Sequence, residues 1–213
     1  MARTDVMGEV APTKGPRAEQ ARSTVTRAAL VAAARELFGR NGYHATGTND
    51  VVARAAVTRG ALYHHFADKE ALFEAVYRQA AKDLSEASMA ATLPLSGQTW
   101  PRIIASIRAY LEILAADRQM QRILLIDGAS VFGWERWRAL EAECRLAGWI
   151  EALRLMIEKG ILEECPRERL AHLLMALLDD AALTVAHADD PDRVVGEVMV
   201  SLEILLRGLK AKG

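Results

Sequence analysis

The chain has 213 residues, 51% hydrophobic and 26% charged, with a formal net charge of −1; this globular composition excludes a wholly disordered or collagen-like chain. Cys144 and Cys165 match neither a disulfide scaffold nor a zinc-ligand spacing, and read as reduced thiols of a cytoplasmic protein. No apolar stretch follows Met1 to suggest a secretory signal, and no charge-free run reaches the roughly 18 apolar residues of a membrane span. Charge is uneven: residues 1–66 carry nine Lys/Arg against five Asp/Glu, and the remainder is net acidic. A basic first third on an acidic body suits contact between one end and a polyanion.

Residues 1–22 lack periodicity and hold Pro12, Gly15 and Pro16, the pattern of a flexible basic arm able to track phosphates or a minor groove. From about Thr24 the pattern is helical. Leu30, Ala33, Ala34, Leu37 and Phe38 form one apolar stripe, and Arg40-Asn41-Gly42 stops it. Gly47 or Thr48 caps a short helix with Val51 and Val52. After a turn at Ala56-Val57, Thr58 caps a second short helix to about His64, and Asp68 caps a long one.

The rest is also helical. The expected segments are Trp100–Ala116, Gln119–Asp127, Trp134–Lys159 ending at Gly160, Glu168–His187 and Asp192–Lys210. Asp189-Asp190-Pro191 opens the last of these. No segment alternates with period two, so the expected class is all-α, with about nine helices.

Two short helices behind a longer supporting one have the plan of a helix-turn-helix. Val51, Val52, Val57 and Leu62 would hold the pair against Phe38 and Phe66. The start of the second helix then presents Thr58, Arg59, Gly60 and Ala61. Gly60 and Ala61 allow close approach to base edges, Thr58 can serve a phosphate, and Arg59 can reach guanine or phosphate. Tyr63, His64 and Lys69 follow on the same side.

The run Gly42-Tyr43-x-x-Thr46, then Val57-Thr58-Arg59-Gly60-Ala61-Leu62-Tyr63-His64-His65-Phe66-x-x-Lys69-Glu70-x-Leu72-Phe73, resembles the DNA-binding domain of the TetR family of transcriptional regulators. The resemblance implies that Thr46, Thr48, Thr58, Arg59, Tyr63, His64 and Lys69 touch DNA. The chain departs from the family at Ala56, where Gly is usual, and at Gly47, where Thr is frequent. If the turn needs positive φ, Ala costs roughly 1 kcal/mol there. The region Asp127-Gly128 to Gly133-Trp134-Glu135-Arg136-Trp137-Arg138 is similar to one subclass of the family's effector domains. The implied organisation is an arm over 1–22, a helix-turn-helix domain over 23–67, and an effector-binding and dimerisation body over 68–213.

In that body an apolar or aromatic effector is expected near Tyr110, Leu124, Phe132, Trp134, Trp137 and Met156. Arg136, Arg138 and Arg145 read as a solvated face, and His172, Asp179 and Asp180 interrupt an apolar helix. In the last two helices Leu170, Leu173, Leu174, Leu177 and Leu178, with Val198, Leu202, Leu205, Leu206 and Leu209, recur at helical spacing. The second stripe, over 192–210, is wider than one core-facing seam needs. These residues are therefore expected to form a two-fold, four-helix dimer interface, a pairing that the resemblance also implies.

No nucleophile elbow, phosphate-cradling loop or metal-ligand set is visible, so no enzyme activity, cofactor or metal is expected. The reading is a cytoplasmic, nucleoid-associated homodimeric regulator, a repressor released from a palindromic double-stranded operator by a small molecule. Two other readings stay open. An architectural or partner-regulated DNA-binding protein would lack an internal cavity. A small helical enzyme would bring titratable groups together in a cavity and have no affinity for DNA.

Overall fold

The computed structural model describes residues 16–95 and 97–210. Among them are nine α-helices and no strand beyond one isolated antiparallel bridge, Leu162 to Lys210. The first helix, α1 (Pro16–Asn41), starts earlier than its apolar stripe. Pro is tolerated in a first turn, and Glu19, Gln20, Ala21 and Arg22 all permit helix. Residues 16–22 are thus helical rather than part of an arm. Residues 1–15, and with them any contact of the arm with DNA, lie outside the described residues.

Leu30, Ala34 and Phe38 of α1 are fully buried, as the stripe requires. The helix ends where Gly42, at φ +86°, donates its N–H to the Phe38 carbonyl. The helices α2 (Thr48–Arg54) and α3 (Arg59–His65) pack across α1 through Val51, Leu62 and Phe66. Between them Ala56 takes φ +53°, the left-handed conformation that favours glycine.

The helix α4 (Lys69–Ala90), capped by the Asp68 carboxylate on Ala71 N, runs from this unit into the body. It packs on α1, on α5 (Thr99–Ala116) and on α7 (Gly128–Glu158). A short α6 (Arg118–Gln121) leads into a wider π-helical turn over Arg122–Asp127. The helix α7 (Gly128–Glu158) is broken at Gly133, at φ +71° and ψ 164°, so its straight part begins at Trp134. The chain closes with α8 (Arg167–Ala186) and α9 (Pro191–Arg207); the Asp190 carboxylate caps α9 on Arg193 N.

The α8–α9 pair corrects the expected dimer face. Leu174, Leu178, Leu202 and Leu206 are buried in the chain's own core, because these helices pack on α5 and α7 through that side. Leu170, Leu177 and Val198 are half-buried against it. Leu205, Leu209 and Leu173 are exposed, together with Val200 and Ile204, two residues outside the expected stripe.

Ala56 is exposed, so adding or removing its methyl leaves no cavity. Left-handed backbone costs Ala about 1–2 kcal/mol, and glycine returns about 0.5–1 kcal/mol of that as unfolded-chain entropy. Ala56→Gly should therefore raise stability by about 0.5–1 kcal/mol in chemical denaturation. A lowered midpoint would contradict strain at the turn.

Candidate nucleic-acid interface and internal cavity

The N-terminal half of α3 is open to solvent. Thr58 Oγ1 accepts from Ala61 N at 3.1 Å, which fixes the cap and leaves Arg59 and Gly60 exposed at the helix start. The Arg59 guanidinium lies 5.5 Å from the Tyr63 ring centroid. Hydrogen bonds from Thr48 and Arg59 hold the Tyr63 phenol below its ordinary pKa. Thr48, Thr58, Arg59, Tyr63 and His64 thus share one surface, and Ala61 is half-buried behind it. Its small side chains and single long donor leave room for a groove edge.

One expected member of this surface, Thr46, sits inside the fold, and another, Lys69, is half-buried at the start of α4. Thr46 is buried, and its hydroxyl donates to the carbonyls of Gly42 (2.9 Å) and Leu37 (3.2 Å). A hydroxyl spent inside the fold ties α1 to the following loop and has no donor left for a phosphate. Lys69 lays its ammonium 4.1 Å from the Tyr43 ring centroid. Burial holds its pKa below the ordinary value, against the pull of Asp127.

The C-terminal end of α1 is pinned from the body. Asp127 accepts the backbone N–H of Tyr43 at 2.7 Å, and Arg122 Nη1 donates to the Arg40 carbonyl at 2.8 Å. Both residues belong to the π turn. Gly39 belongs to the same contact: a Cβ there would lie 2.6 Å from Gln119 Cβ, so only glycine lets α6 approach. An aromatic chain continues the seam, with Phe73 against Phe38, Tyr43 and Phe132, and Phe132 against Tyr77.

Between α4, α5 and α7 lies a cavity of about 530 Å³, within the range of small-molecule sites. Of the six residues named for an effector, Tyr110 and Leu124 line it, with Leu125, which like Leu124 belongs to the π turn. The other four residues expected there do not. Phe132 fills the aromatic seam, Trp134 is 67% exposed, and Trp137 and Met156 are buried in the core. Trp137 Nε1 donates instead to the Leu124 carbonyl at 3.3 Å. The break at Gly133 turns Trp134 outward, a rotation that even helical spacing did not foretell. Trp149 is the tryptophan on the cavity wall.

Sequence reasoning also missed the polar end of this cavity. Arg145, read as part of a solvated face, has its side chain only 12% exposed. Its Nη1 donates to Tyr110 Oη at 2.6 Å, its Nη2 to Asp179 Oδ1, and Nη2 lies 2.6 Å from Glu141 Oε2. Tyr77 on α4 donates to Glu141 Oε1. Burial pushes the Glu141 carboxyl up, and pushes the Tyr110 phenol up to about 12. The neighbouring Tyr110, Glu141 and Asp179 hold the Arg145 guanidinium firmly protonated against its burial. A signal existed in the spacing: Glu141 and Arg145 stand one helical turn apart, opposite the Asp179 that interrupts an apolar stripe.

Residues 30–76 match the family described as bacterial regulatory proteins, tetR family, and residues 100–209 match the tetracyclin repressor-like C-terminal domain. A TetR-family regulator of Pectobacterium atrosepticum is similar in structure, with TM-score 0.76 and 34% identity, over 91% of this chain and 98% of that one. The transcriptional repressor BepR of Brucella suis is 30% identical over 76% of this chain and 81% of its own length. The transcriptional regulator UidR of Escherichia coli is 40% identical over 60 residues, 28% of this chain. That match spans 31% of UidR's length.

Proposed function

We propose how this chain works from one premise: it belongs to the TetR family of bacterial transcriptional regulators. It is a sequence-specific DNA-binding repressor that a small molecule releases from a palindromic operator. The DNA-reading unit is α1 to α3 with the first turns of α4, and the rest is the effector-binding and dimerisation body. The observation that carries this is the π turn, which lines the cavity with Leu124 and Leu125 while Arg122 and Asp127 hold the end of α1. A ligand that moves Leu124 shifts the support of the reading helix. Release then follows from differential affinity for the two arrangements.

The cavity between α4, α5 and α7 counts against an architectural protein without an effector. The clustered Glu141, Arg145 and Tyr110 are what an enzyme would use. Here they are bonded largely to one another, and family membership supports a regulator. The protein works where the chromosome is, and no described helix is long and apolar enough to cross a membrane.

A second copy covers the exposed stripe of Val200, Ile204, Leu205 and Leu209 with Leu173 of α8, about a two-fold axis. The dimer then presents two copies of α3 to successive major grooves, roughly 34–36 Å apart. Ile204 is 66% exposed, so Ile204→Glu spares the protomer core and loads the seam with unpaired charge. Sedimentation should show monomers that bind half-sites weakly; a persisting dimer would contradict this seam. Arg59→Ala should cost about 1–3 kcal/mol of operator affinity by mobility shift. Unchanged binding would remove α3 as the reading helix.

A further inference from the structure

The polar end of the cavity is electrically unbalanced. Glu141 and Asp179 offer two carboxylates to one guanidinium, that of Arg145, and all three side chains are about nine-tenths buried. The hydrogen bonds are incomplete as well. Among the described residues, Glu141 Oε2, Asp179 Oδ2 and Arg145 Nε have no hydrogen-bond partner. The approach of Arg145 Nη2 to Glu141 Oε2 lacks hydrogen-bond geometry, because that nitrogen is directed at Asp179. Tyr110 Oη accepts from Arg145 and can accept once more. Glu141, Arg145 and Tyr110 all line the cavity, whose wall is otherwise mainly apolar.

Resting on the reading of this cavity as the effector site, we infer that the effector is an apolar molecule carrying a protonated amine. Its ammonium sits at the Glu141 carboxylate, beside Tyr110 Oη. An ammonium has three donors and a positive charge, which suit the unpartnered Glu141 Oε2 and the remaining lone pair of Tyr110 Oη. It also restores electroneutrality where the dielectric is low and each charge counts most. Burial raises the Glu141 carboxyl, Asp179 adds to the rise, and Arg145 opposes it; a cation at this carboxylate would favour its charged form.

An anionic ligand is disfavoured at that end, because it would add a third negative charge beside Glu141 and Asp179 with Arg145 as the one cation bonded there. The cations at the mouth are weaker competitors. Lys159 bonds to Thr99 Oγ1 and Arg102 to Thr92 Oγ1, with Glu151 nearby. Lys159 and Glu151 stand in solvent, where salt screens them.

The test is calorimetric titration of the full chain, without DNA, with decylamine, decanol and decanoate at neutral pH. These share one chain length and differ in the head group. Decylamine should bind at least tenfold tighter than either of the others. Glu141→Gln, which keeps an acceptor for Tyr77, should bring the amine down to the level of the alcohol. Asp179→Asn, which frees Arg145 to neutralise Glu141, should weaken the amine too, and gives a second variant should the first fail to fold.

Equal affinity for decanol, tightest binding of decanoate, or amine binding indifferent to both folded variants would each overturn the amine. The cavity would in those cases stand as the effector site. If none of the three binds the native protein, the inference and the reading it rests on both fail.

Discussion

The fold turns on the six residues from Arg122 to Asp127, where the backbone widens from α-helical to π-helical hydrogen bonding. A π turn inserts one residue into a helix and re-aims the side chains on either side of it. Here it separates two tasks. Leu124 and Leu125 face the cavity, and Arg122 and Asp127 reach the end of α1. Its neighbours are built around it. Trp137 donates to the Leu124 carbonyl, and Gly128 leaves out a Cβ that would lie 2.8 Å from Tyr77. In a close-packed interior such an element has few alternative positions, so a shift at one side is passed to the other.

Magnitudes separate the polar contacts that matter to this arrangement from those that decorate it. The network of Glu74, Arg78, Arg136 and Glu143 joins α4 to α7 at the surface, with side chains 28–47% exposed. Such pairs contribute about 0–1 kcal/mol each and are screened by salt. The group of Glu141, Arg145 and Asp179 is 7–12% exposed. Removing one member of a buried group of this kind costs about 3–5 kcal/mol. The larger electrostatic contribution to the body's stability therefore belongs to that group, not to the more numerous surface pairs.

Much of this was legible in the sequence. Apolar spacing gave the helices, and the caps at Thr58, Asp68 and Asp190 stand where short polar residues precede apolar runs. The surface of α3 followed from small residues flanking one arginine. The failures have physical causes. Thr46 has the residue type of a phosphate donor, but its hydroxyl closes a turn inside the fold. Trp134 and Trp137 share helical spacing, yet the backbone break at Gly133 sends one to solvent and leaves the other in the core. A lone arginine reads as solvated until its partners, 4 and 34 residues away, are placed around it. In α9 the stripe was wide enough for two partners, but periodicity does not say which half faces inward. Leu202 and Leu206 took the core, and Val200 and Ile204 the surface.

The most direct test of this account is the coupling between operator and effector in Asp127→Ala. For a small molecule that releases the native protein from its operator, each affinity is measured alone and in the presence of the other. In the native protein the two should weaken each other by one common factor, about 5–150-fold. In Asp127→Ala both ligands should still bind, and the factor should fall towards one. A variant that binds both and keeps the native factor would contradict transmission through the contact between the π turn and α1.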